Sequence, residues 1–229
     1  MRTTCTRGII LIVLAILAGC APKSIQMDQA ARESLSGVQE IKVLYYEPPD
    51  LQVPSNPVPK IFFGAIGGAV AAVVVQSRGQ QMVKEYGLSD PMIRVKNGFV
   101  LSVQALFNKA NLTEVTSPHK EDNLDKLKVE FHQGLFLDFK TTKWGILTHQ
   151  LQGYHYVAYQ GRARFVQIPE EKVIWQGVCD LEEKDDTNMP HITELEANNG
   201  ALLKEYLTKL TTSCEAELIR QLSGKEVTK

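Results

Sequence analysis

The side chains that most often carry catalysis or bind metals are scattered along this chain. Its histidines show no His-x-x-x-His pair, and its cysteines show no Cys-x-x-Cys pair of the kind that zinc sites use. A short acidic run lacks the alternating ligands and the central glycine of a calcium loop. These patterns predict solvated or hydrogen-bonded side chains and no metal site; the residues concerned are His119, His132, His149, His155, His191, Glu182, Glu183, Asp185 and Asp186.

Sequence motifs of the common enzyme classes are also missing. The chain has no Gly-x-Ser-x-Gly, no phosphate-binding Gly-x-x-x-x-Gly-Lys-Ser/Thr and no dinucleotide-binding Gly-x-Gly-x-x-Gly after a strand. Scattered residues can still assemble an active site, so missing motifs do not exclude catalysis. We therefore expect a non-enzymatic protein with no catalytic residues and no cofactor other than a covalent lipid.

Composition narrows the class of protein further. The 229 residues are 44% hydrophobic and 22% charged, which is ordinary for a folded globular chain. The 25 Lys and Arg residues nearly balance the 26 Asp and Glu residues. Nucleic-acid binding needs a clustered excess of basic residues, so no nucleic-acid partner is expected.

The first twenty residues read as an export signal. Arg2 and Arg7 form a short basic region at the amino terminus. The apolar run that follows, from Gly8 to Leu17, is too short to span a bilayer. The run ends in Leu17-Ala18-Gly19-Cys20, which resembles the lipobox of bacterial lipoproteins. In that family the peptide is cut between the residues matching Gly19 and Cys20, and the cysteine carries the lipid.

The lipobox resemblance has consequences for location and domain limits. Inner-membrane retention usually needs Asp after the lipidated cysteine, and Ala21 stands there, so the resemblance implies the periplasmic face of the outer membrane. The expected organisation is a signal peptide over 1–19, a lipidated tether over 20–37, one periplasmic domain over 38–224 and a tail over 225–229. The rest of the chain is loosely similar to uncharacterised periplasmic lipoproteins of proteobacteria.

The remaining cysteines form an even pair. Cys5 leaves with the signal peptide and Cys20 is lipidated, so Cys179 and Cys214 remain in an oxidising compartment. Both fall on the apolar face of a predicted element. We predict a disulfide between them, with two unpaired buried thiols as the alternative.

Hydrophobic periodicity predicts the elements in the order strand, two helices, strand, helix, three strands, helix. Strands joined through helices favour parallel neighbours, and the last two strands form an antiparallel hairpin. The predicted fold is α/β, with α+β character: a mixed sheet packed by three to four helices, one of them rich in Gly and Ala. The predicted elements are Ile41–Tyr46, Ile61–Val75, Asp90–Ala110, Leu112–Val115, 122–133, Leu135–Lys140, Tyr154–Ile168, Val173–Leu181 and Glu194–Leu222.

Two segments leave alternatives open. Ile61–Val75 is uninterrupted apolar or Gly sequence and would form a helix of about 22 Å. We favour a helix buried on the sheet over one that contacts the membrane or self-associates. Residues 122–140 fit either one strand or a short helix followed by a strand; Gly134 favours the second, and a loop is predicted at Trp144-Gly145.

One face of a predicted strand suggests a partner surface. Arg162 and Arg164 point away from the core residues of their strand, and Tyr154 and Tyr156 lie on the same side. Arg and Tyr are enriched in protein interfaces. We therefore expect a lipid-anchored periplasmic adaptor that binds an unidentified envelope protein; the alternative is a carrier or sensor of an apolar ligand or lipid.

Overall fold

A five-stranded mixed sheet organises the molecule. The computed structural model describes residues 23–54, 78–107, 111–149, 153–184 and 189–224. The strands lie in the order β2-β1-β3-β4-β5, with β1 parallel to β2 and β3 and the other neighbours antiparallel. The predicted mixed α/β sheet is confirmed, and the strands are β1 (Ile41–Tyr45), β2 (Leu112–Glu114), β3 (Gly134–Thr148), β4 (His155–Ile168) and β5 (Lys172–Glu183).

Five helices accompany the sheet within the described residues. Apart from the predicted helix Ile61–Val75, which lies outside the described residues, the predicted order of strands and helices is present, and α1 before β1 and α2 after it are additional helices. The helices are α1 (Gln29–Gly37), α2 (78–86 of the described residues), α3 (Pro91–Phe107), α4 (Leu124–Phe131) and α5 (Ile192–Ser223).

The main core lies on the face of the sheet covered by α3 and α5. Odd-numbered residues of β4, including Val157, Tyr159 and Phe165, point into it, as the alternation predicts. Trp175 of β5 stacks on Phe99 of α3 with ring centroids 5.7 Å apart. A smaller cluster on the opposite face joins α4 to the sheet and contains Leu44, Leu127, Phe136, Val166 and Ile168.

Helix α3 begins where the sequence predicts, and its buried face agrees in part with the predicted one. Asp90 accepts a hydrogen bond from the Met92 amide at 2.9 Å and caps the first turn. The apolar spacing predicts a stripe through Ile93, Val100, Val103, Leu106 and Phe107. Val100 and Val103 are buried, Ile93 and Leu106 are exposed, and the buried face also includes Met92, Val95 and Phe99.

Strand β3 is much longer than predicted. It continues through the Trp144-Gly145 segment, where a loop was expected, after a bulge between Thr141 and Lys143. Trp144 is buried, and its Nε1 donates to the Pro49 carbonyl at 2.7 Å. The Gln52 backbone passes so close to Gly145 that a Cβ would lie 2.2 Å from its carbonyl oxygen, which explains the glycine inside the strand.

The segment assigned to a tether is part of the fold from residue 23 onward. Asp28 accepts from the Ala31 amide at 2.7 Å and caps α1. Met27, Ala31 and Leu35, spaced four residues apart, are buried against the main core. The helix itself contributes only Ala31 and Leu35 to the core, and Met27 precedes its cap, so the apolar pattern is too short to stand out in the sequence.

Helix α5 is bent near its start. Ala197–Gly200 leaves helical geometry, and Asn198, Asn199 and Gly200 have positive φ. The Tyr86 ring packs against Gly200, where a Cβ would approach it to 2.8 Å. Beyond the bend the helix runs to Gly224, whose left-handed conformation ends it as predicted.

The apolar segment Ile61–Val75 lies outside the described residues, so its predicted helix stays a prediction. None of the helices within the described residues is long and apolar enough to cross a bilayer.

Candidate functional site

The two arginines of the predicted partner surface lie in a buried ionic cluster. Antiparallel pairing places Asp138 of β3 directly opposite Arg164 of β4. The Nε of Arg164 donates to Asp138 Oδ2 at 2.7 Å, and an Nη of Arg162 lies 3.5 Å from Asp138 Oδ1. Asp138 is fully buried, so its carboxylate is neutralised by protein groups alone.

The loop that precedes α4 adds a second carboxylate, that of Asp122, to this cluster. Asp122 precedes α4, and its carboxylate accepts from Arg162 at 2.8 Å and pairs with Lys140 at 3.2 Å. Its backbone carbonyl accepts from Arg164 at 2.9 Å. The ionic cluster, defined by Asp122, Asp138, Arg162 and Arg164, therefore ties the α4 segment to the sheet.

Tyr46 supplies the remaining partner of Asp138. Its hydroxyl donates to Asp138 Oδ2 at 3.0 Å, and burial together with the Asp138 charge raises the pKa of Tyr46 above its usual range. Burial alone would lower the pKa of Arg164. The nearby Asp138 carboxylate has the larger effect and raises the pKa of Arg164. Tyr46 stays a neutral donor and Arg164 stays a cation at any physiological pH.

The pKa of Asp122 moves in the opposite direction from that of Tyr46. Burial opposes its ionisation, but the charges of Arg162 and Lys140 outweigh that effect and lower the pKa of Asp122. Every charged group of the ionic cluster has a partner of opposite charge within it. Its chemistry is that of a structural clamp.

This geometry corrects the predicted Arg/Tyr surface. Arg162 and Arg164 do point away from the main core, but they are 8% and 7% exposed and bonded inside the molecule. Tyr154 lies directly before β4, is 42% exposed, and stacks on His191 with ring centroids 4.8 Å apart. Tyr156 is half-buried. The four side chains do not form one exposed surface.

The predicted disulfide is present. Cys179 of β5 and Cys214 of α5 are bonded, with their Cα atoms 5.3 Å apart. Both residues are buried in the main core, in agreement with the faces assigned from sequence.

Histidines do not converge on a metal site among the residues that the structure describes. His155 is buried, and burial lowers its pKa, so it is held neutral. His191 caps α5, and its Nδ1 lies 3.1 Å from the Gly153 carbonyl. Both histidines make contacts where the start of β4 meets the start of α5.

An open cleft of about 580 Å³ was not predicted. It lies between α1, the end of α4 and the ends of the long hairpin, and we call it the α1–β3 cleft. Lys42 projects at its rim, with Nζ 5.1 Å from the centroid of the Phe131 ring. Its apolar lining includes Leu35, Val38, Phe131, Leu135, Ile168 and Ile174. No sequence motif marks it, because its lining comes from three separate stretches of the chain, 35–42, 131–135 and 167–174.

Comparisons with known proteins give structural likeness only. No family model matches the chain, and no curated protein matches it in sequence. Among solved structures it is similar to the PelC dodecamer of Paraburkholderia phytofirmans, at 8% identity over 89% of this chain and 97% of that one, with a TM-score of 0.40. It is also similar to lipoprotein GNA1162 of Neisseria meningitidis, at 14% identity over 75% and 99% of the two chains, with a TM-score of 0.25.

A third similar structure is protein XCC0632 of Xanthomonas campestris, at 12% identity over 83% of this chain and 88% of that one, with a TM-score of 0.34. Solved structures similar to this chain thus include a lipoprotein. Likenesses at these TM-scores carry no functional argument, and the function proposed below rests on this chain's own residues.

Proposed function

We propose that the protein is a non-enzymatic, lipid-anchored module at the periplasmic face of the outer membrane that binds another envelope protein. The lipobox Leu17-Ala18-Gly19-Cys20 supports the anchor, and the Cys179–Cys214 disulfide suits an oxidising compartment. The ionic cluster supports a non-enzymatic role, since its charges pair with one another.

The observation that carries the protein-binding part is the exposed apolar side of α3. Leu101 is 67% exposed and Ile93 is 38% exposed, and eight positions apart they lie about 80° from each other around the helix axis, on its outward side. Exposed large apolar side chains on a helix mark candidate protein contact surfaces. We assign the partner contact to this surface, in place of the Arg/Tyr surface.

Photo-crosslinking in cells tests this assignment. A photoreactive residue at Leu101 should give a specific adduct with another envelope protein, and the same residue at exposed Thr212 on α5 should not. An adduct from Leu101 to residues 61–75 of the same chain would instead identify the α3 surface as internal, and the partner assignment would be wrong.

The anchor is tested separately. Metabolic labelling with an alkyne fatty acid should tag the wild-type protein, and Cys20→Ser should abolish the tag and stall maturation. A Cys20→Ser variant that still incorporates the label would contradict lipidation at this residue.

The α1–β3 cleft favours a second candidate, a carrier of an amphiphilic ligand. Its volume of about 580 Å³ falls within the usual range for small-ligand sites, and its lining combines apolar side chains with the charged side chains of Lys42, Glu40 and Glu170. Protein purified without detergent should then retain a lipid detectable by native mass spectrometry, and Val38→Trp, which narrows the cleft, should lose it. Absence of bound lipid from both proteins would remove this candidate.

A further inference from the structure

The two ends of the described chain meet at one end of the molecule. The Ser24 hydroxyl donates to the Gln221 side chain at 3.4 Å, and Arg32 donates to the Leu222 carbonyl at 3.2 Å. Lys23 and Gly224 therefore mark a common surface, which we call the terminal surface and define by Lys23, Arg32, Gln176, Gln221 and Gly224.

The amino-terminal segment is fixed on this surface by β-type hydrogen bonds. The Ile25 amide donates to the Gln176 carbonyl at 2.8 Å, and the Gln176 amide donates back to the Ile25 carbonyl at 2.9 Å. The Gln176 side chain adds a bond to the Lys23 carbonyl at 2.6 Å. The chain is thus held to the edge of β5 from residue 23 onward.

The covalent distance to the lipidation site is short. Only three residue steps separate Cys20 from Lys23, and a fully extended chain covers about 3.3–3.6 Å per residue. Lys23 cannot lie further than about 11 Å from Cys20. A lipid on Cys20 would therefore keep Lys23, at the edge of the terminal surface, within about 11 Å of the lipidated residue.

We propose that the terminal surface faces the phospholipid headgroups and that the opposite end of α5 points away from the membrane. This orientation rests on the proposed lipidation of Cys20. In this orientation the bilayer core would hold the acyl chains on Cys20, and the headgroups would also contact residues of the terminal surface.

Charge distribution supports this end-on orientation over one with α5 flat on the bilayer. Helix α5 carries five Glu against three basic residues, so its side is repelled by anionic headgroups. At the terminal surface Lys23 is exposed. The charged side chains that define the terminal surface, Lys23 and Arg32, are both cationic, which favours contact of this end with anionic lipid.

Energy transfer to the membrane tests the orientation with two positions on one helix. Ser223 and Ala201 lie 22 residues apart on α5, which corresponds to about 33 Å. Because Cys179 and Cys214 are bonded and Cys20 is acylated, Ser223→Cys or Ala201→Cys gives one free thiol for a donor dye. Each full-length lipidated protein is reconstituted in phosphatidylethanolamine–phosphatidylglycerol vesicles that contain a headgroup-attached acceptor.

Position 223 should transfer severalfold more energy than position 201. Equal or reversed transfer in vesicle-bound, lipidated protein would overturn the orientation and leave the anchor intact. Protein that lacks lipid by mass spectrometry and does not float with vesicles would instead refute the proposed anchor.

A matched variant tests the role of the short tether. Insertion of twelve Gly and Ser residues between Pro22 and Lys23 should keep lipidation and reduce the difference between the two positions. An unchanged difference would show that tether length does not set the orientation, and would overturn the argument from reach.

Discussion

The side-chain amide of Gln221 pairs with the backbone of Val178 as a neighbouring β-strand would. Its Nε2 donates to the Val178 carbonyl at 2.8 Å, and its Oε1 accepts from the Val178 amide at 3.1 Å. Two residues earlier, Ile25 pairs with Gln176. Helix α5 and the amino-terminal segment together satisfy the middle of the β5 edge, which would otherwise present free backbone groups to other chains.

Replacement of Gln221 should weaken this edge. Gln221→Leu removes both bonds to Val178, and because water can reach the half-buried backbone we expect a loss of about 1–2 kcal/mol in the free energy of unfolding. Urea unfolding followed by circular dichroism measures the change. Gln104→Leu, at a half-buried position on α3, is the control and should change stability much less.

Removal of Asp138 should be far more damaging. Asp138→Ala leaves Arg162 and Arg164 buried without their central carboxylate, and breaking a buried ion pair typically costs about 3–5 kcal/mol. The exposed pair of Lys126 and Glu121 serves as the comparison, because Lys126→Ala should leave urea unfolding nearly unchanged. Equal effects of the two variants would contradict the structural role of the ionic cluster.

Acid should weaken the ionic cluster through Asp122. Because the folded-state pKa of Asp122 lies below its unfolded value, its contribution is complete above about pH 4 and is lost as pH falls through the folded-state pKa. The stability difference between wild type and Asp122→Asn, measured by urea unfolding from pH 7 to pH 3, should shrink toward low pH. A difference that grows on acidification would reverse the assigned sign.

Asp90 should show the opposite pH dependence. Burial raises its pKa, while Oδ1 accepts from the Met92 amide and from the Thr141 hydroxyl at 2.6 Å. Ionisation of buried Asp90 lowers the free energy of unfolding. This loss begins as pH rises through the unfolded-state pKa of Asp90 and is complete above its folded-state pKa. Asp90→Asn can keep both hydrogen bonds, so it should stabilise the protein at pH 7 and lose this advantage near pH 3.

The alanine variant separates the two roles of Asp90. Asp90→Ala removes the helix cap and should lower the free energy of unfolding by about 1–2 kcal/mol. If Asn and Ala variants were destabilised equally at pH 7, the charge of Asp90 would be favourable in the folded state and the direction of its pKa shift would be wrong.

The disulfide should contribute more than any single hydrogen bond. Closing a loop with a 35-residue separation stabilises by about 3–4 kcal/mol in the chain-entropy model. The Cys179→Ala/Cys214→Ala double variant should therefore unfold at clearly lower urea concentration than wild type. Wild-type protein unfolded with a reducing agent should match the double variant, and a mismatch would point to packing rather than the cross-link.

Local pattern predicts the parts of this fold whose burial is periodic. The alternation of Val157, Tyr159, Ala163 and Phe165 identified β4 and its core face, and the Leu stripe identified α5. The burial of Arg162 could not be read in the same way. It depends on the register of β3 against β4, which places Asp138 opposite Arg164 and Lys140 opposite Arg162.

The α1–β3 cleft and the place of residues 23–37 are set by tertiary contacts. Met27, Ala31 and Leu35 are buried by contacts with the main core and not by one another. The pairing of Ile25 with Gln176 joins residues about 150 positions apart, and nothing local to either residue signals it. Composition and periodicity do not predict such long-range pairings.

The contacts of Ile25 also determine how the protein would respond to a pulling force. Tension on a lipidated Cys20 would act first on the hydrogen bonds between Ile25 and Gln176, while the Cys179–Cys214 bond keeps β5 and α5 together. Detachment of residues 23–37 would lengthen the free tether from three residue steps to eighteen, or about 60 Å of extended chain. If Cys20 carries a lipid, the fifteen residues that hold the domain close to it would therefore also supply, once detached, the extra length that lets the domain move away from the membrane.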